Sequence, residues 1–137
     1  MYRKILVPVD LTHVDRLTRA LAAAADLSKH YGAPVHYVAV TAQTPTPVAH
    51  NPKEFAGKLA AFGRAQAEAH GIETTTKSYP SHDPAIDINK TLLDAIAEAG
   101  ADLVVMASHV PNAADYLWPS HGGSVASHSD ASVFLVR

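Results

Sequence analysis

Val104-Val105-Met106-Ala107-Ser108-His109 is an apolar strand that runs directly into two polar side chains. A loop over residues 110–119 follows, then Ser120 at the head of a short helix, then a last apolar run, Val133-Phe134-Leu135-Val136. The first-turn N–H groups of a helix lack intrahelical partners and point outward. A strand end, a loop and a helix start held together therefore form an anion site. In an open parallel sheet, ligands bind beyond the carboxyl ends of the strands. A small-molecule site is expected at this loop.

The rest of the chain repeats the pattern of apolar strand and amphipathic helix. Residues 3–9 (Arg-Lys-Ile-Leu-Val-Pro-Val) form a first strand that Asp10 ends. Thr12 and Asp15 have capping-box spacing, and Asp10 is also placed to cap the same helix. Leu17, Ala20, Leu21, Ala24 and Leu27 then recur on one helical face, and Gly32 closes it. Residues 35–41 are a second buried strand, with His36 between the sheet and a helix or at the strand's start. Residues 42–51 carry two prolines and two threonines and read as a loop. Asn51-Pro52-Lys53-Glu54 is a helix start, with the inward stripe Phe55, Leu59, Phe62, Ala65 and Ala69 and an end at Gly71. Residues 72–79 hold three threonines and little apolar content, which suits an edge strand. After a loop over 81–86, Asp83 or Asp87 caps a helix facing inward through Ile88, Leu92, Ala95, Ile96 and Ala99, closed by Gly100. Residues 102–107 and 132–136 are the last two strands, and His128 closes the helix between them. The order βαβαβαβαβ predicts one α/β domain over residues 1–137: an open, doubly wound, five-stranded parallel sheet with helices on both faces.

Composition removes several function classes. The 137 residues are 47% hydrophobic and 18% charged, with a formal net charge of −2. That balance gives no electrostatic footprint for nucleic acid. The apolar runs are too short to span a bilayer, and the start of the chain reads as a strand rather than a signal peptide. The absence of cysteine rules out disulfides and thiol chemistry, so a cytoplasmic protein is expected. Nine histidines are the oddity, at 13, 30, 36, 50, 70, 82, 109, 121 and 128. No pair has the i, i+4 spacing of a zinc-binding helix, and no metal site is expected.

Three stretches together, Lys4-Ile5-Leu6-Val7-Pro8-Val9-Asp10, Ala101-Asp102-Leu103-Val104-Val105-Met106-Ala107-Ser108-His109 and Ser132-Val133-Phe134-Leu135-Val136-Arg137, resemble the universal stress protein family. The likeness runs the length of the chain, in order and at compatible spacing. The Ala-Ser-His-x-Pro opening of the loop looks most like the small Ser-His-x-Pro subgroup, with Val110 in place of Arg. The resemblance implies strand order 3-2-1-4-5 and a site for ATP or another adenine nucleotide. Its nucleoside half would fall on Pro8, Val9, Asp10, Val40 and Met106, with Asp10 bonding base or ribose. Its phosphate half would fall on Ser108, His109, Ser120 and His121. It also implies a homodimer through the last strand, Val133 to Val136, or a higher oligomer, together with protein partners.

The family's phosphate loop reads Gly-x-x-Gly, about nine residues, then Gly-Ser or Gly-Thr. Here Ala107, Val110 and Pro119 stand at the three glycine positions and only Ser120 remains. Gly123-Ser124 does not supply the third glycine. A helix starting at Ser124 would leave barely one turn before Ser129-Asp130. Val110 resists positive φ and Pro119 has no N–H to donate, so the triphosphate cradle is degenerate.

These readings point to a non-catalytic, nucleotide-responsive binding or regulatory protein in the stress response, with no catalytic residue assigned. Two alternatives stand beside it: a slow nucleotide phosphohydrolase, and a dimeric adaptor that binds no nucleotide. Hydrolysis needs a base or metal ligands at the phosphates, and Asp10 is assigned to the nucleoside end. A phosphorylated receiver fails for want of a strand-end aspartate at Lys77-Ser78-Tyr79 or Met106-Ala107. Dinucleotide and P-loop folds fail because Asp10-Leu11-Thr12-His13 holds no glycine.

Overall fold

Five short runs of β-branched and apolar residues pair into one parallel sheet. They are β1 (Ile5–Pro8), β2 (Val35–Ala42), β3 (Thr74–Ser81), β4 (Leu103–Ala107) and β5 (Ser132–Val136), in the order β3-β2-β1-β4-β5. The computed structural model describes residues 1–108 and 121–137. Helices α1 (Thr18–Tyr31), α2 (Pro52–His70), α3 (Pro84–Ala99) and α4 (His121–His128) connect the strands, with a 3-10 segment, Leu11–Leu17, ahead of α1. Fold and strand order match the expectation. No helix among the described residues is long and apolar enough to cross a membrane.

Side chains alternate across a strand, so each run feeds two cores. Ile5, Val7 and Val9 join Val35, Tyr37, Leu103 and Val105 against Leu17, Leu21 and Ala24 of the first helical segment and Phe55 and Leu59 of α2. Leu6, Val38, Val104 and Met106 turn the other way, against Leu92, Ala95 and Ile96 of α3 and Val125 of α4. Both faces are therefore dry, which is why the strands read as continuous apolar runs. At the amino end, the Asp102 carboxylate accepts the Arg3 and Lys4 amides at 3.0–3.1 Å and ties the chain's start to β4.

Local chemistry sets the helix ends, with some departures from the sequence reading. Asn51 caps α2 by accepting the Glu54 amide at 2.8 Å, and Pro52 follows it. The Glu54 carboxylate reaches back one residue further than a capping box requires, to the His50 amide. Of the two candidates for α3, Asp83 is the cap; Asp87 accepts from the Ser81 hydroxyl at 2.6 Å instead. The first helix is capped by Asp10, not Thr12, and it opens as a 3-10 segment. The edge strand β3 runs two residues later than expected, over Thr74–Ser81, because all eight residues pair with β2. The strand read over residues 3–9 is shorter, Ile5–Pro8.

The inward stripe of α2 is corrected too. Ala65 and Ala69 are exposed, and Gly63 is buried in their stead. A methyl group on Gly63 would sit 2.5 Å from the Thr76 methyl. That approach is where α2 lies down on β3, and Thr74 Oγ1 donates to the Gly63 carbonyl at 2.8 Å. Replacing a mid-helix glycine by alanine normally gains about 1 kcal/mol. Gly57, with open space at its Cβ position, should show that gain as Gly57→Ala. Gly63→Ala should instead lower stability, because the overpacking cost of about 1–3 kcal/mol exceeds the propensity gain. Urea unfolding of the two variants checks this; equal stabilisation by both would mean that the α2–β3 contact is slack.

His36 lies inside β2, 9% exposed, with Nδ1 2.6 Å from the Thr75 hydroxyl. Burial, then the charges of Lys4 and Lys77, hold its imidazole below the ordinary value of 6.5, against an opposing contribution from Glu98. The folded state thus prefers the neutral ring. Its stabilising contribution is present above pH 6.5 and is lost as pH falls through the lowered folded value. Below pH 6.5 the denaturation midpoint of the natural protein should fall more steeply than that of His36→Gln. Parallel pH profiles would contradict this account.

Candidate functional site

Strand β1 sits between β2 and β4, and the chain leaves it in one direction while β4 continues in the other. This is the topological switch point, and in open parallel sheets ligands bind beyond the carboxyl ends of the strands at such a point. The hydrogen bonds show how strand pairing ends there. The Ile5 and Val9 amides donate to Pro34 and Val38 on the β2 side at 3.0 and 2.8 Å. Alternate residues of a central parallel strand serve opposite neighbours, so Leu6 and Pro8 serve β4. Pro8 has no N–H. Pairing of β1 with β4 covers Ile5↔Leu103 and Leu6↔Val104, whereas β4 pairs with β5 through to Ala107↔Val136. Beyond the β4–β5 ladder, the Ser108 amide still donates to the Val136 carbonyl at 2.7 Å. The ladder thus runs further between β4 and β5 than between β1 and β4, where it stops at Leu6.

The expected site residues fall into three groups. Pro8 is buried, and Val9 and Met106 are 1% exposed inside the two cores. Truncating such side chains costs about 2–5 kcal/mol, so substitutions there report on the fold before any ligand. Asp10 and Ser108 lie just past the ends of β1 and β4, whereas Val40 lies inside β2 opposite Tyr79, two residues short of the end at which it was expected; all three are half-buried. His109 and Ser120 lie outside the described residues, as do Val110, Trp118 and Pro119. His121 is the first residue of α4, and Ser124 lies inside that helix. The helix therefore starts where the spacing to the final strand requires. Its Val125 packs fully buried on the α3 side of the sheet.

Asp10 carries the most structure. Its backbone is extended (φ −116°, ψ 106°) and its Oδ1 accepts the Thr12 amide at 2.9 Å, capping the 3-10 segment. Its Oδ2 lies 2.9 Å from His13 Nδ1, with both side chains about one-fifth exposed (20% and 21%). Residues i and i+3 of a 3-10 turn are eclipsed, which brings the imidazole over the carboxylate. At His13 the backbone departs from helical values (φ −128°, ψ 40°), and the His13 amide donates to the Asp10 carbonyl at 3.1 Å. Sequence reasoning counted His13 only as one of nine histidines. Asp-x-x-His directly after a strand was the signal that would have found it.

The connection that follows β2 is held by local bonds as well. The Thr46 hydroxyl accepts from the Val48 and Ala49 amides at 3.3 and 3.2 Å, the Thr46 amide donates to the Ala49 carbonyl at 2.8 Å, and Ala49 is buried. Lys58 bonds the Val48 carbonyl from α2. The connection after β2 is thus fastened to the core rather than draped over it. A shallow groove of about 370 Å³ lies elsewhere, at the amino end of β4, between Ile96, Gly100, Asp102, His128 and Asp130. Its Asp102 is committed to the Arg3 and Lys4 amides, and the switch-point argument does not lead there. Among the described residues, no group of three His, Asp or Glu side chains is placed to hold a metal ion.

Comparison with known proteins agrees with this architecture. A universal stress protein from Archaeoglobus fulgidus superposes with a TM-score of 0.72 at 18% identity, over 100% of both chains. A universal stress protein of the same organism in complex with dAMP gives 0.69 at 19% identity, over 99% of this chain and 98% of that one. A universal stress protein family protein from Arabidopsis thaliana with AMP bound gives 0.64 at 11%, over 98% and 90%. At these identities the likeness shows the fold. The model of the universal stress protein family matches residues 1–137, and the chain belongs to that family.

Proposed function

We propose that this chain is a non-catalytic regulatory protein of the stress response that binds an adenine nucleotide at the carboxyl ends of β1 and β4. The observation that carries the reading is the end of the β1–β4 ladder at Leu6, ahead of Pro8, with the Asp10 carboxylate just beyond it at the switch point. Two proteins of the same fold, which hold dAMP and AMP, support the ligand class. In this reading Pro8, Val9, Val40 and Met106 shape the nucleoside end and Asp10 bonds base or ribose. Ser108, His109, Ser120 and His121 serve the phosphates. A phosphohydrolase is the weaker reading, because the carboxylate that the described residues bring to the switch point belongs to the nucleoside end. A cytoplasmic location fits a chain without cysteine.

The phosphate half differs from a glycine cradle. Ala107 is 6% exposed and sits in the β4 ladder opposite Val136. The positive-φ glycines among the described residues, Gly32, Gly71 and Gly100, all end helices. Calorimetric titration should therefore find ATP, ADP, AMP and adenosine within about tenfold of one another, since a full cradle adds several charge-assisted bonds of roughly 1.5–3 kcal/mol each. ATP bound a hundredfold tighter than AMP would mean the cradle is rebuilt without glycine. No binding of any of the four would favour the nucleotide-free adaptor.

The same reading includes a homodimer through β5. This edge strand leaves Phe134 46% and Leu135 50% exposed, on opposite faces. An apolar edge with unpaired amides invites another strand, and two copies related by a two-fold axis would pair their edges and leave neither open. Light scattering of the natural protein should give the dimer mass, and Leu135→Lys should shift it to monomer. A natural protein that runs as a monomer at micromolar concentration would overturn this assembly.

A further inference from the structure

We infer that His13 is a positioning residue of the nucleoside site, holding the Asp10 carboxylate in the orientation the ligand meets; this rests on the nucleotide reading above. One bond, from the Thr12 amide to Oδ1, leaves the carboxylate free to swivel about its Cβ–Cγ bond. The second, at 2.9 Å between His13 Nδ1 and Oδ2, fixes the plane. An ionised carboxylate only accepts, so His13 donates through Nδ1–H, and the tautomer is set. The two oxygens offer about four lone-pair positions, and the two bonds leave acceptor capacity for a ribose hydroxyl or a base amino group. The pair forms locally, within four residues, at the carboxyl end of the strand whose ladder to β4 stops at Leu6. The ligand thus meets an acceptor already aimed, and the ordering of that side chain is not charged to the binding step.

The test is calorimetric titration of adenosine and AMP on the full chain, with thermal melts alongside. Against the natural protein, His13→Ala should weaken both ligands by the same factor, about fivefold to tenfold, the equivalent of immobilising one side chain. His13→Asn, whose amide nitrogen sits on Cγ as Nδ1 does, should restore most of that loss. His13→Gln fills the space but moves the donor one bond outward, and should behave like alanine even if the alanine variant folds poorly. A lowered melting temperature with unchanged affinities would overturn the proposal, leaving His13 a turn staple. Tighter binding would overturn it by showing that His13 competes with the ligand for Asp10. Loss for AMP alone would make His13 a phosphate contact instead. If the natural protein binds neither compound, the nucleotide reading itself fails, visibly and before any variant is compared.

Discussion

One absent hydrogen-bond donor organises the carboxyl end of this sheet. A central parallel strand must serve two neighbours, alternating amides between them. In β1 the residues that face β2 keep their amides, while Pro8, on the other parity, has none to give β4. The ladder therefore continues to Pro8 toward β2 and stops at Leu6 toward β4, at the place where the connections diverge to opposite sides. Asp10 stands two residues past the proline, and Ser108 leaves the last rung of the neighbouring strand.

The break is tolerable because the rest of the sheet is overdetermined. Both faces of β1, β2 and β4 are buried, and the two cores share the strands by simple alternation. Burying one large apolar side chain contributes about 1.5–3 kcal/mol, whereas a net hydrogen bond contributes about 0.5–1.5 kcal/mol. A missing rung is thus outweighed by a single well-packed neighbour such as Val7 or Val105. The amino end is braced independently, by the Asp102 carboxylate on two backbone amides of the preceding segment. Stability sits in the cores and at that end.

Membership of the universal stress protein family establishes the scaffold, and the particular residues set this chain's variation on it. At the position where the family resemblance places the first cradle glycine, Ala107 completes a regular strand rung. Beyond β1, the Asp10 carboxylate is at once helix cap and partner to an imidazole. Capping and ligand contact are compatible, because a carboxylate has more lone pairs than the cap consumes.

The sequence by itself determined the fold class, the inward faces of most elements and the start of α4. Each of these follows from periodicity and from residues acting over one or two turns. Leu17 to Ala24, the Asn51-Pro52 start and the apolar runs needed no knowledge of distant contacts. It also placed Asp10 and Ser108 at strand ends, since strand ends are visible where an apolar run stops, but Val40 lies inside β2, whose pairing with β3 runs on to Ala42. Tertiary structure alone decided the rest. Gly63 replaces Ala65 on the buried stripe of α2 because Thr76, thirteen positions away, occupies the space a side chain would need. Asp10 outcompetes Thr12 as cap, and His13 joins it, because the chain enters a 3-10 turn rather than an α-helix. The early end of the β1–β4 ladder had its cause, Pro8, in plain view. Its meaning depended on which neighbour each amide faced, and a one-dimensional pattern carries no record of that.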